Sequence, residues 1–166
     1  MKAFRVALLF LLTGTLFFAC VNPPNYPDAP VIEYMAVNKT TIFQGTQNLP
    51  ADTLAIVFSF TDGDGDLSSE DSTDVFLYDS RFPSIPNPYK IPLIPEDGTG
   101  NGIRGEITVR IQNAFNICCI EANGFACPPA ATFDLDTFSY EIQIRDRAGN
   151  FSNRVRTETL GIRCRL

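Results

Sequence analysis

The chain has 166 residues and contains no histidine, no tryptophan and only two methionines. Without an imidazole, Ser–His–Asp and Cys–His hydrolase arrangements and His-ligated zinc or iron sites are excluded, because each uses that ring as base or ligand. Without an indole, the chain lacks the largest aromatic surface on which a sugar ring can stack. Positive charge is also scarce. Thirteen Lys and Arg against nineteen Asp and Glu give a net charge of −6, which argues against nucleic acid as a partner. There is no CxxC redox motif, no internal repeat, no helical periodicity of useful length and no apolar run long enough to span a bilayer as a helix.

What is present begins with a leader. Lys2 and Arg5 precede the short apolar stretch Val6 to Leu12, and small or apolar residues continue to Ala19, the pattern of a secretory signal peptide over residues 1–19. The segment LFFAC, Leu16 to Cys20, resembles a bacterial lipoprotein lipobox, with Phe17 where leucine is usual. The resemblance implies that Cys20 is acylated, becomes the first mature residue and holds the protein on a lipid bilayer. Cleavage by ordinary signal peptidase, with Cys20 a spare thiol, is the competing reading. Val21 after the cysteine, in place of the Asp that retains some lipoproteins at the inner membrane, implies the outer membrane, with periplasmic and surface faces both open. Residues 20–30 contain NPPNYPDAP, which can form neither helix nor inner strand and reads as a proline-rich tether.

Residues 31–166 then form one domain of ordinary size, with enough apolar residues for a core. Besides Cys20 they hold Cys118, Cys119, Cys127 and Cys164. An even number in an exported chain implies two disulfides. A bond between the adjacent Cys118 and Cys119 would close a strained ring, so one of them is expected to pair with Cys127 and the other with Cys164.

The organising stretch is TLAIVFSFTDGDGDL, Thr53 to Leu67. Leu54, Ile56, Phe58 and Phe60 share one face, while Ala55, Val57 and Ser59 leave the other only weakly polar, as in an inner strand that stops at an Asp/Gly turn. Further strands are expected at Val31 to Val37 with a continuation at Thr40 to Phe43, Asp74 to Asp79, Ile103 to Gln112, Phe138 to Ile144 and Arg154 to Cys164. Pro92 makes Tyr89 to Ile94 an edge strand, after a proline-broken loop from Arg81 to Pro88. The connection from Asn113 to Asp136 is long and held by cystines. About seven strands without a helix predict an all-β fold, a single antiparallel β-sandwich.

TDGDGDL, Thr61 to Leu67, and DRAGNFSN, Asp146 to Asn153, resemble strand-end motifs of immunoglobulin-like or cadherin-like modules in exported bacterial proteins. With the CC pair and the terminal cysteine, the chain is similar to Bacteroidota lipoproteins. That resemblance implies an immunoglobulin-like sandwich and no particular activity.

Alternating carboxylates on a glycine-loosened turn suit a hard cation such as calcium, which takes about six to eight oxygens. Asp62, Asp64 and Asp66 are the primary candidates, with Glu70, Asp71 and Asp74 able to complete the shell. Leu67 and Thr73 stand where an EF-hand needs Gly and Glu, so the segment is not one. If Thr53 to Phe60 is the second strand of the sandwich, its turn shares a pole with Asp146 to Asn153, bringing Asp146 and Asn150 near. The same parity puts the cysteines at the opposite pole. Against a site stands the ordinary preference of Asp and Gly for solvated turns. For it stands the stretch Asp52 to Asp79, with eight acidic residues and no basic one.

The expected function is a noncatalytic binding or assembly module of the cell envelope, meeting a protein or glycan. The alternatives are a carboxylate-based glycan hydrolase, using Asp62 or Asp64 with Glu70, and a purely structural envelope protein. The arginines at 145, 147, 154, 156, 163 and 165 most simply keep an edge soluble, or else meet an acidic partner or lipid head groups.

Overall fold

The run from Thr53 becomes a central strand because Leu54, Ile56, Phe58 and Phe60 bury one face in the core while Val57, Ser59 and Thr61 stay half-buried on the other. In a computed structural model of the protein, residues 25–45, 51–70, 73–94, 102–114, 116–120, 127–128 and 134–165 are described. The expected leader, Cys20, Asp71 and much of the cystine loop lie outside them. The described residues form ten strands and no helix: β1 (Val31–Val37), β2 (Thr41–Phe43), β3 (Thr53–Asp62), β4 (Val75–Asp79), β5 (Pro86–Tyr89), β6 (Ile103–Gln112), β7 (Leu135–Phe138), β8 (Tyr140–Ile144), β9 (Val155–Arg156) and β10 (Leu160–Arg163).

One layer has the order β1-β3-β6, all antiparallel. The register of β3 with β6 runs without a bulge from Thr53 opposite Gln112 to Asp62 opposite Ile103. The other layer has the order β5-β4-β8-β9, and β7 and β10 carry its last two strands onward to pair with each other and with β2. Two such layers facing each other make a β-sandwich.

The structure departs from the expected strands in three places. The last two long strands are each broken, at Ser139 and at Thr157, where hydroxyls replace ladder partners: Tyr140 N–H donates to Thr157 Oγ1 (3.1 Å) and Ser139 N–H to Ser80 Oγ (3.0 Å). The expected edge strand at Tyr89 to Ile94 is absent, and Pro86–Tyr89 takes that role. Pro86 and Pro88 lie opposite Tyr78 and Phe76 on an outer strand, where a missing N–H costs nothing if it faces outward. Ile91 leaves the sheet to bury itself, at 3% exposure. Finally, β2 runs parallel to β10, so the sandwich is not wholly antiparallel. The chain crosses between layers after β1 without reversing, and meets the last strand side by side.

Between the layers Leu54, Ile56, Phe58 and Phe60 of β3 pack with Leu77, Ile142, Ile144 and Ile162 in one buried cluster. Burying each such side chain contributes about 1.5–3 kcal/mol. β6 shows the predicted alternation, with Arg104, Glu106, Thr108 and Arg110 exposed and Val109 and Ile111 buried. The cystines are Cys118–Cys127 and Cys119–Cys164, with Cα atoms 5.1 and 5.9 Å apart. They sit at the pole where β3 begins. Buried Gln44 completes that pole, donating to the Cys164 carbonyl (2.8 Å) and accepting from Cys119 N–H (3.2 Å).

Candidate metal centre

At the opposite pole, β3 ends in Asp62 and β8 is followed by Asp146, so the sandwich order itself brings the two residues to one end. Between β3 and β4 the chain doubles back. Gly63 is held against the segment before β1, donating its N–H to the Pro27 carbonyl (2.8 Å). A Cβ there would stand 2.4 Å from the Tyr26 carbonyl oxygen. Gly65 takes φ of 73°, in the left-handed region that a side chain disfavours. Leu67, fully buried, then pins the turn to the core. The reversal at Gly65 separates the alternating aspartates: Asp62 and Asp66 turn inward, and Asp64 is left exposed.

Each of Asp62, Asp66 and Asp146 offers a carboxylate oxygen within 4.8 Å of the other two. Two oxygens bound to one calcium ion at about 2.4 Å can be no more than about 5 Å apart, so the spacing fits a single ion. The backbone of the following loop fixes the set. Asp66 Oδ2 accepts the Ala148 N–H (3.0 Å), and the Asp66 carbonyl accepts the N–H and Nε–H of Arg147 (3.1 Å each). Asp146 accepts from Asn150 through both oxygens, the N–H at 2.7 Å and Nδ2 at 2.9 Å. A carboxylate has about four lone-pair positions, so Asp146 retains capacity for an ion.

Asp62 differs from its neighbours. Its exposure is 0%, and no side chain donates a hydrogen bond to either carboxylate oxygen, the Asp66 main chain being the donor nearest to it; Asp66 Oδ1 is likewise buried and unpartnered. Burial, and then repulsion from Asp64, Asp66 and Asp146, push Asp62 from an ordinary value of 3.8 up to about 7, and the Asp66 main chain offsets only part of this. Asp66 is also raised, by burial first and then by Asp146 and Asp64. Three carboxyls aimed at one point with so few donors among them form a site in which negative charge is stabilised only by a proton or a cation.

Of the candidate ligands, the structure therefore assembles Asp62, Asp66 and Asp146. Asp64 contributes field without joining the cluster. Glu70 is exposed, and its carbonyl accepts Lys90 Nζ. Asn150 supports Asp146 rather than facing the turn. Asp74 is buried at the start of β4 outside the cluster. Asp71 and the lipidation candidate Cys20 lie outside the described residues. The contributions of Gly63, Leu67 and the Ala148 amide were not readable from the sequence, since each depends on a tertiary neighbour.

The donor set is all oxygen, which favours a hard cation over zinc or copper. No protein-family profile, no curated protein and no solved structure matches the chain.

Proposed function

We propose that the protein is a noncatalytic envelope lipoprotein, anchored through acylated Cys20, whose immunoglobulin-like sandwich serves as a binding or assembly module and is clasped at one pole by calcium. The observation that carries the calcium clasp is Asp62: a fully buried carboxylate with no side-chain hydrogen-bond donor, beside two further carboxylates at single-ion spacing. Calcium suits the place better than magnesium, because it tolerates irregular shells and uses carboxylates with carbonyls and water to complete them. The ion would join the β3–β4 turn to the β8–β9 loop and so tie the two layers together at the pole opposite the cystines. Asp62 is too enclosed to reach a glycosidic bond, which weighs against its use in a paired-carboxylate hydrolase.

Two measurements test the two halves of this reading. Calorimetric titration of calcium into the cation-stripped domain should show one site, and magnesium should bind more weakly; no heat with calcium removes the clasp. Cys20→Ala should move the protein from the membrane to the soluble fraction, and unchanged membrane association removes the lipid anchor.

A further inference from the structure

β6 is a ten-residue strand paired on one side only. Among the described residues its outer edge has no partner, and it carries neither a proline nor a bulge, being guarded by the charged side chains Arg104, Glu106 and Arg110. Along that edge lies a groove of about 730 Å³. One wall is the unbroken run from Ile103 to Arg110, so that the strand's edge, and not only one of its faces, borders the space. The other wall is Tyr89 at the end of β5 and Lys90 to Ile94, which forms no ladder, and Phe60 and Val75 belong to the apolar floor. A gap walled on one side by a free strand edge and floored by core residues fits one further extended strand. Its backbone would complete the ladder and alternate side chains would point to the floor.

The charges around the gap identify the occupant's chemistry. Among the described residues, Lys90, Arg104 and Arg110 line it against Glu106 alone. Arg104 and Arg110 are exposed on the outward face of β6, where the cross-strand neighbours of an added strand would lie. We infer that β6 docks an extended segment of a partner protein, apolar at alternate positions and acidic at those facing Arg104 and Arg110. This deepens the binding-module reading and rests on it.

The probe is a capped, fluorescein-labelled heptapeptide, Glu-Val-Thr-Val-Thr-Val-Glu, whose glutamates are spaced as Arg104 and Arg110 are and whose palindromic pattern serves either strand direction. Lys-Val-Thr-Val-Thr-Val-Lys is the control. Anisotropy with the full mature domain should show the acidic peptide binding about tenfold tighter than the lysine peptide, as two exposed ion pairs replaced by repulsions imply. The double variant Arg104→Glu/Arg110→Glu should reverse that order with an unchanged melting temperature, since both side chains are exposed. Amide exchange should slow at the alternate β6 amides that do not bond β3 when the acidic peptide binds. Absence of binding, equal binding of both peptides, or those outward amides already protected before peptide is added overturns the inference. In the last case, concentration dependence distinguishes a second copy of the chain on the edge from another segment of the same chain. Calcium titration and membrane fractionation do not involve β6, so the clasp and anchor stand or fall separately from the groove.

Discussion

A carboxylate withdrawn from water with no side-chain donor to replace it is costly to ionise, and Asp62 is held in that state by its position at the last register pair of β3 with β6. Its raised value fixes the sign of a pH effect. In cation-free protein the folded state holds this proton more tightly than the unfolded chain does. The stability it contributes is full below about 4 and is lost as pH rises through about 7. Melting temperature of stripped protein should therefore climb on acidification from pH 7 towards 5. With calcium present the trend should reverse, because protons then compete with the ion. Parallel trends in the two conditions would mean that Asp62 does not share in binding. Gly63 makes a second case at this scale. Gly63→Ala places a methyl against the Tyr26 and Pro27 main chain, a clash costing about 1–3 kcal/mol. Urea unfolding should register that loss in the mature chain and little of it in a version truncated through Pro27. The sequence showed Gly63 and Gly65 as one loosened turn. Only the fold separates their reasons, close approach at Gly63 and positive φ at Gly65.

Elements whose side chains report their own surroundings were legible in advance. β3, apolar on both faces, is the central strand, and β6, alternating throughout, has one wet face. β5 was not legible, because what makes Pro86–Tyr89 a strand is its neighbour β4 and not its own propensity. The breaks at Ser139 and Thr157 were hidden for the same reason: the hydroxyls that replace the ladder come from other parts of the chain. The cystines act at this scale too. Cys118–Cys127 closes a separation of 9 residues, whereas Cys119–Cys164 closes 45 and ties the end of β10 to the loop after β6. In the chain-entropy view the short loop contributes about 2.5 kcal/mol and the long one about 4 kcal/mol. Replacing Cys119 and Cys164 with serine should accordingly lower the urea midpoint more than replacing Cys118 and Cys127. The opposite order would place the burden of that pole on the local loop.

Over the whole molecule, the sandwich is closed at one pole by covalent bonds and Gln44, and at the other by three carboxylates that repel one another unless something neutralises them. Shared poles followed from strand parity alone, and the meeting of Asp62 with Asp146 was foreseeable from it. That Asp64 would turn away was not, since it depends on the backbone reversal at Gly65. The most direct test is scanning calorimetry of the mature domain and its Asp62→Asn variant, each stripped of cations and each with saturating calcium. At calcium one hundred times its dissociation constant, binding adds about 2.7 kcal/mol, so the parent should gain roughly 5–10 °C. Asp62→Asn should melt above the parent when stripped, having lost a buried charge, and should gain nothing from calcium. A parent indifferent to calcium, or a stripped variant that melts below it, would contradict the clasp.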